Sequence, residues 1–167
     1  MRTALRPAAI ALATLLVAAA CTGCERPAGS SNLWDGFEGI RSGEPPQTAP
    51  WLEKQKGDLY VPHGRPVTLA GVPADQAEFE FVEGKGFLGI TLRFKGHKGF
   101  LAAKEYLFNK YGEGINPSCL EPPAEIYEWT LQRGLSRPID MFLWYFREKD
   151  EWVFAAADVK NLITIPY

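Results

Sequence analysis

The chain has 167 residues and a formal charge of −2 at pH 7. It carries no block of basic residues, which argues against nucleic acid as a partner. A chain of this length can bury about two thirds of its unfolded surface, so the composition requires no metal, cofactor or disulfide for stability.

Arg2 and Arg6 open the sequence, and Ala8 to Ala20 is apolar except for Thr14. That run falls short of the roughly 20 residues needed to span a bilayer. A basic start, a short apolar core and small residues at its end predict a signal peptide over residues 1–20. Its end, Ala18-Ala19-Ala20-Cys21, resembles the lipobox of bacterial lipoproteins, in which a Cys after small residues becomes the acylated first residue of the mature protein. The departure is Ala18, where the family usually has Leu; Cys24, after Cys21-Thr22-Gly23, matches less well. The resemblance implies lipidation at Cys21 and attachment to a membrane through that lipid. Thr22 stands where inner-membrane lipoproteins often carry Asp, which implies the outer membrane, facing the periplasm. Ala18-x-Ala20 also suits ordinary signal peptidase, which would release a soluble periplasmic or secreted protein.

Cys21-Thr22-Gly23-Cys24 has the spacing of a redox pair or half a zinc site, but no βαβ pattern adjoins it and no second ligand pair exists. Residues 21–32 are polar and rich in Gly, Ser and Pro, and are expected to be a flexible, lipid-anchored tether. Such a stretch spans about 17–20 Å on root-mean-square average. Cys119 is expected as a lone loop thiol, with pairing to Cys24 as the alternative.

Residues 33–167 are expected to form one globular domain. All 10 Phe, 6 Tyr and 5 Trp of the chain lie in it. Leu33 to Val72 is rich in Gly and Pro, and short apolar clusters in it, such as Leu59-Tyr60-Val61, are candidates for an edge strand. "AEFEFVE" alternates with period two, placing Ala77, Phe79 and Phe81 on one face. "GKG", Gly84 to Gly86, signals a tight hairpin, and the return strand is expected to place Leu88, Ile90, Leu92 and Phe94 together. "GFLAAKEYLFNKYG" carries Phe100, Ala103, Leu107 and Tyr111 at helical spacing, with Gly112 as its C-terminal cap. After the loop "EGINPSCLEPP", strands are expected near Glu125–Gln132, Ile139–Arg147 and Glu151–Ala157, with "REKD" as the last turn. The reading is an α+β fold: a mostly antiparallel sheet of five to six strands, core order β-β-α-β-β-β, with one main helix on one face.

"FEGIRSG", the hairpin, the helix ending "KYG", then "YEW" and "LWYF" resemble small uncharacterised periplasmic α+β domains of bacteria that open F-x-G-I-x-x-G. The resemblance implies a fold and brings no catalytic residue with it.

Gly84, Gly86 and Gly89 match G-x-G-x-x-G, but they introduce a strand rather than a helix, so a dinucleotide site is not expected. His63 and His97 lack neighbouring ligands at metal spacing. Asp140 opens an otherwise apolar strand. No G-x-S-x-G, H-E-x-x-H or Walker motif occurs. No catalytic, metal or cofactor residue is therefore assigned. The C-terminal strands are apolar on both faces and need cover on both. The helix is expected to cover one face and Leu33–Val72 to cover the other incompletely, leaving Phe142, Trp144, Phe146, Trp152 and Phe154 as a candidate surface for an envelope protein partner. The expected function is binding or structural support in the periplasm. A small cell-wall hydrolase or carbohydrate-active enzyme is the alternative from another class. An inhibitor of an envelope hydrolase, acting through a loop at Glu113–Pro123, is the third.

Overall fold

The computed structural model describes residues 34, 36–116, 124–133 and 136–158. The elements are β1 (Leu52–Lys54), β2 (Leu59–Pro62), β3 (Thr68–Leu69), β4 (Val72–Pro73), β5 (Gln76–Val82), β6 (Gly86–Lys95), α1 (His97–Tyr111), β7 (Ala124–Arg133), β8 (Ser136–Phe146) and β9 (Glu151–Asp158). Seven strands form one antiparallel sheet in the order β1-β2-β5-β6-β9-β8-β7, and β3 and β4 pair as a separate ribbon. The α+β class and the single main helix are as the sequence predicts. The sheet is larger than the five to six strands expected, because the Gly- and Pro-rich segment before β5 supplies both β1 and β2. β2 is also not the edge: β1 lies outside it.

The period-two strand β5 buries Ala77, Phe79 and Phe81, and its partner β6 buries Ile90, Leu92 and Phe94 in the same core. Leu88, expected with them, does not join that core. A bulge at Glu80/Phe81 pairs Phe81 with Phe87 and Glu80 with Gly89, so Phe87 takes the inward position and packs against Phe81 and Phe79. The extra residue of a bulge shifts the alternation, which a strict period-two reading misses. The "GKG" turn is as predicted, with Gly84 and Gly86 both at positive φ. Gly86 is also a close approach: a Cβ there would sit 2.1 Å from the Gly43 carbonyl oxygen.

The sheet's outer side carries polar residues on β5. Glu80 is half-buried there; burial first, then the nearby Asp58 carboxylate, push it above its ordinary value of 4.5, with Lys85 opposing. A raised carboxyl contributes stability that is fully present below its unfolded value and lost as the pH climbs through its folded value. Glu80→Gln is therefore expected to raise the thermal midpoint at neutral pH. Calorimetry across pH checks this: the gain should disappear below pH 4.5, and a gain independent of pH would show that the charge is not its source.

α1 buries Phe100, Ala103, Leu107 and Tyr111 against the sheet, the predicted stripe. Gly112 ends it at φ 80°, its N–H donating to the Phe108 carbonyl. Lys104 crosses to β7, donating to the Tyr127 hydroxyl and lying over the Tyr127 ring at 4.3 Å. Trp129 Nε1 donates to the Gly112 carbonyl, which ties the helix's end to the same strand.

The segment Leu33–Val72 was expected to cover the face opposite the helix. It covers the same face instead. Trp34, Ile40, Val67 and Leu69 belong to one buried cluster with Phe100 and Leu107, and Phe37 packs against Phe79 and Phe154. The inner face is thus shared by α1 and this irregular segment, side by side.

Candidate functional site

Two features of the surface are candidates, and the sequence points to one of them only. The register of β8 against β9 pairs Leu143 with Phe154 and Tyr145 with Trp152. Directly paired residues share a face, so Trp152 and Phe154 point inward and are fully buried. Both leave the proposed partner surface; the five-residue set does not lie on one face. Trp144 pairs with Val153 and Phe142 with Ala155 on the outer side. Phe142, Trp144 and Phe146 stay half-buried there, with the Phe142 and Trp144 rings stacked at 5.3 Å. Among single-Trp variants, acrylamide is expected to quench Trp144 fluorescence well and Trp152 scarcely. Equal shielding would remove the outer strip as a surface.

The second feature is a cleft of about 700 Å³ on the inner side, between α1, the β3–β4 ribbon and the turn at Phe37–Ile40. Its shape follows from two tight turns. Phe37 and Ile40 exchange both backbone hydrogen bonds around Glu38 and Gly39, which have φ values of 53° and 83°. Leu69 and Val72 pair around Ala70 and Gly71, at 53° and 76°. Two consecutive positive φ values are the mark of the type I′ turn that suits a two-residue hairpin. Glu38 and Ala70 adopt them without being glycine, so both rims of the cleft are held against a local backbone preference.

The floor is apolar, made by Phe37, Phe154, Leu69 and Leu107. One wall is a face of α1 carrying Ala102, Glu105, Tyr106, Asn109 and Lys110. These positions recur at helical spacing beside the buried stripe, so one helix supplies both the core and the wall. Tyr106 remains 41% exposed although it is a large ring. Opposite, Glu38 accepts from Arg65, whose guanidinium lies 3.8 Å from the Trp51 ring. That stack and ion pair fix the Glu38 turn to the sheet. Lys110 lies 5.8 Å from the Tyr106 ring and 5.1 Å from the Tyr111 ring. Burial alone would lower its ammonium, but hydrogen bonds and charge from Tyr111 and Tyr106 outweigh burial and hold it above its ordinary value of 10.5. Lys110 is therefore a fixed cation at the mouth.

The other residues singled out from sequence do not converge here. His63 is exposed, with Glu53 at 3.8 Å. His97 starts α1, its ring against Tyr145 at 4.7 Å. Gly89 lies inside β6 against β9, and Gly84 and Gly86 in the hairpin, which agrees with the hairpin reading of the glycine motif. Asp140 is half-buried, and its Oδ1 accepts from Thr130 across the β7–β8 pair at 3.0 Å. Cys21, Cys24, Cys119 and most of the Glu113–Pro123 loop lie outside the described residues. Among the described residues no group of three or more His, Cys, Asp or Glu is placed to hold a metal ion, and no helix is long and apolar enough to cross a membrane. The cleft was missed because its residues come from four separated stretches, the last of them Phe154 of β9. Its one local signal is the set of turn dipeptides Glu38-Gly39 and Ala70-Gly71, together with a Tyr on the polar side of an amphipathic helix.

No family model, curated protein or solved structure matches the chain.

Proposed function

We propose that this chain is a lipid-anchored protein of the bacterial cell envelope that binds a ligand in the cleft and leaves it chemically unchanged. The cleft carries the binding reading: its volume falls within the roughly 300–1,000 Å³ range of small-molecule sites, and an apolar floor with a few polar groups at the rim is the usual composition of such sites. Two of its charged groups support binding over catalysis because they are already engaged. Glu38 is paired with Arg65 and Lys110 lies against two tyrosines. Anchoring rests on the leader and on Ala18–Cys21, and Trp34 in the cleft wall follows the tether closely, which supports a ligand at or near the membrane surface.

Metabolic labelling with a fatty acid tests the anchor. Cys21→Ala is expected to lose label and membrane retention, and Cys24→Ala to keep both; label persisting in the Cys21 variant defeats the assignment. Incubation of the full chain with an insoluble envelope fraction tests the rest. Retention of the protein without release of soluble fragments is expected. Release that stops in Glu105→Gln would establish the hydrolase in its place.

A further inference from the structure

We infer that the ligand of this cleft is a neutral oligosaccharide, an inference that rests on the binding reading above. The first observation is charge. Glu38 is compensated by Arg65, and Glu105 and Lys110 bring opposite charges to the same helix face. The rim therefore presents no net field that selects an anion or a cation, and a charged head group would meet one partner and one opponent. The second is the kind of hydrogen bonding on offer. Glu105 only accepts, Lys110 only donates, and Asn109 and Thr68 do both. A hydroxyl is donor and acceptor at once, so a ligand dense in hydroxyls satisfies such a mixed rim, whereas a carboxylate or an ammonium satisfies half of it.

The third observation is the Tyr106 ring. It is 41% exposed in the cleft wall, with the Lys110 ammonium 5.8 Å from its centre, while the floor is aromatic and apolar. Burying an open ring face against a ligand is favourable through its apolar area, and the negative face of the ring attracts polarised C–H groups. A pyranose offers one face of C–H groups edged by hydroxyls, which matches a ring bordered by mixed donors and acceptors. The fourth is rigidity. Both rims are two-residue turns and the wall is a packed helix, so little ordering opposes binding.

The full chain in detergent micelles is titrated with β-1,4-linked tetrasaccharides of glucose and of N-acetylglucosamine, followed by amide shifts and calorimetry. At least one tetrasaccharide is expected to perturb Gly71, Glu105 and Tyr106. Tyr106→Ala should weaken binding by about tenfold or more, the loss of a single good ring contact. Its thermal midpoint should be unchanged, since the ring is not part of the core. Glu105→Gln should weaken binding less. Several results overturn the inference: neither sugar perturbs the cleft, the perturbation maps to Phe142–Phe146, or Tyr106→Ala binds as the parent does. Sodium laurate is titrated in parallel. If laurate alone moves the cleft residues, the cleft binds but the ligand class is wrong; if neither laurate nor sugar moves them, the binding reading falls as well.

Discussion

Trp152→Ala is expected to cost about 3–5 kcal/mol of unfolding free energy, as large aromatic deletions from a packed core do. The side chain is fully buried at the middle of the sheet, stacked on Phe94 at 3.8 Å and 5° and edge-on to Phe100 at 6.5 Å. It connects β6, β8, β9 and α1 at one point, so its removal leaves a cavity that no single element can close. Its indole N–H has no acceptor among the described residues, and its ring lies 3.3 Å from where Gly99 would carry a Cβ. Packing outweighs that unpaired donor. Trp152→Phe removes the donor and keeps most of the ring, so it should cost clearly less than the Ala variant. Urea unfolding with a constant slope measures both. Equal losses in the two would mean that the indole's second ring, and not the stack on Phe94, holds the site.

Asp150→Ala should cost about 1–2 kcal/mol, the loss of a helix cap, and it also removes the acceptor of the Tyr145 hydroxyl. α1 has no cap from its own sequence: Gly96 precedes it and offers no side chain. The acceptor comes from the β8–β9 turn, where Asp150 Oδ1 takes the His97 N–H at 2.9 Å and the Tyr145 O–H at 2.9 Å. The Asp150 carbonyl also accepts from Gly96 N–H at 2.8 Å. Because Asp150 sits at φ 48°, Ala adds backbone strain that Asn largely avoids. Asp150→Asn should therefore lose less, and it separates the charge from the conformation. Tyr145 reports on that charge. Its phenol is raised above the ordinary value of 10.0 by burial first, then by the hydrogen bond to Asp150 and its negative charge. Its contribution to stability is fully present below about pH 10 and lost as the pH rises through the folded value. In Asp150→Asn, alkaline titration of the phenolate absorbance should show Tyr145 ionising at lower pH than in the parent. An unmoved titration would show that the carboxylate does not act on it.

Periodicity made the β5–β6 hairpin, α1 and the three C-terminal strands legible from sequence, because each buries one face of a regular element. What escaped it depends on pairing. The bulge at Glu80/Phe81 exchanges Leu88 for Phe87, and nothing in "FVEGKGFLG" marks which residue is the extra one. Trp152 and Phe154 were assigned an outer face because alternation within β9 gives two faces without saying which is which; only the register against Leu143 and Tyr145 decides. β1 and β2 are only three and four residues long, so they carry little periodic signal, and their pairing is a tertiary effect. The cleft was the least legible part. Glu38, Ala70 and Tyr106 meet only because two turns and a helix flank the same face of the sheet, and the helix's polar side reads as ordinary solvated surface.

The place of β9 has a consequence for the order in which the molecule is made. It is the last of the described strands in the chain and lies in the middle of the sheet, joining β6 to β8, so that Leu92 pairs with Phe154. Until residues 151–158 arrive, β1-β2-β5-β6 and β7-β8 are two half-sheets with open inner edges and no shared core. Contacts this distant in sequence form late and slowly. A chain made from its N-terminus thus lacks the pairing that joins its two half-sheets for most of its synthesis. The two halves join only when β9 pairs with both β6 and β8.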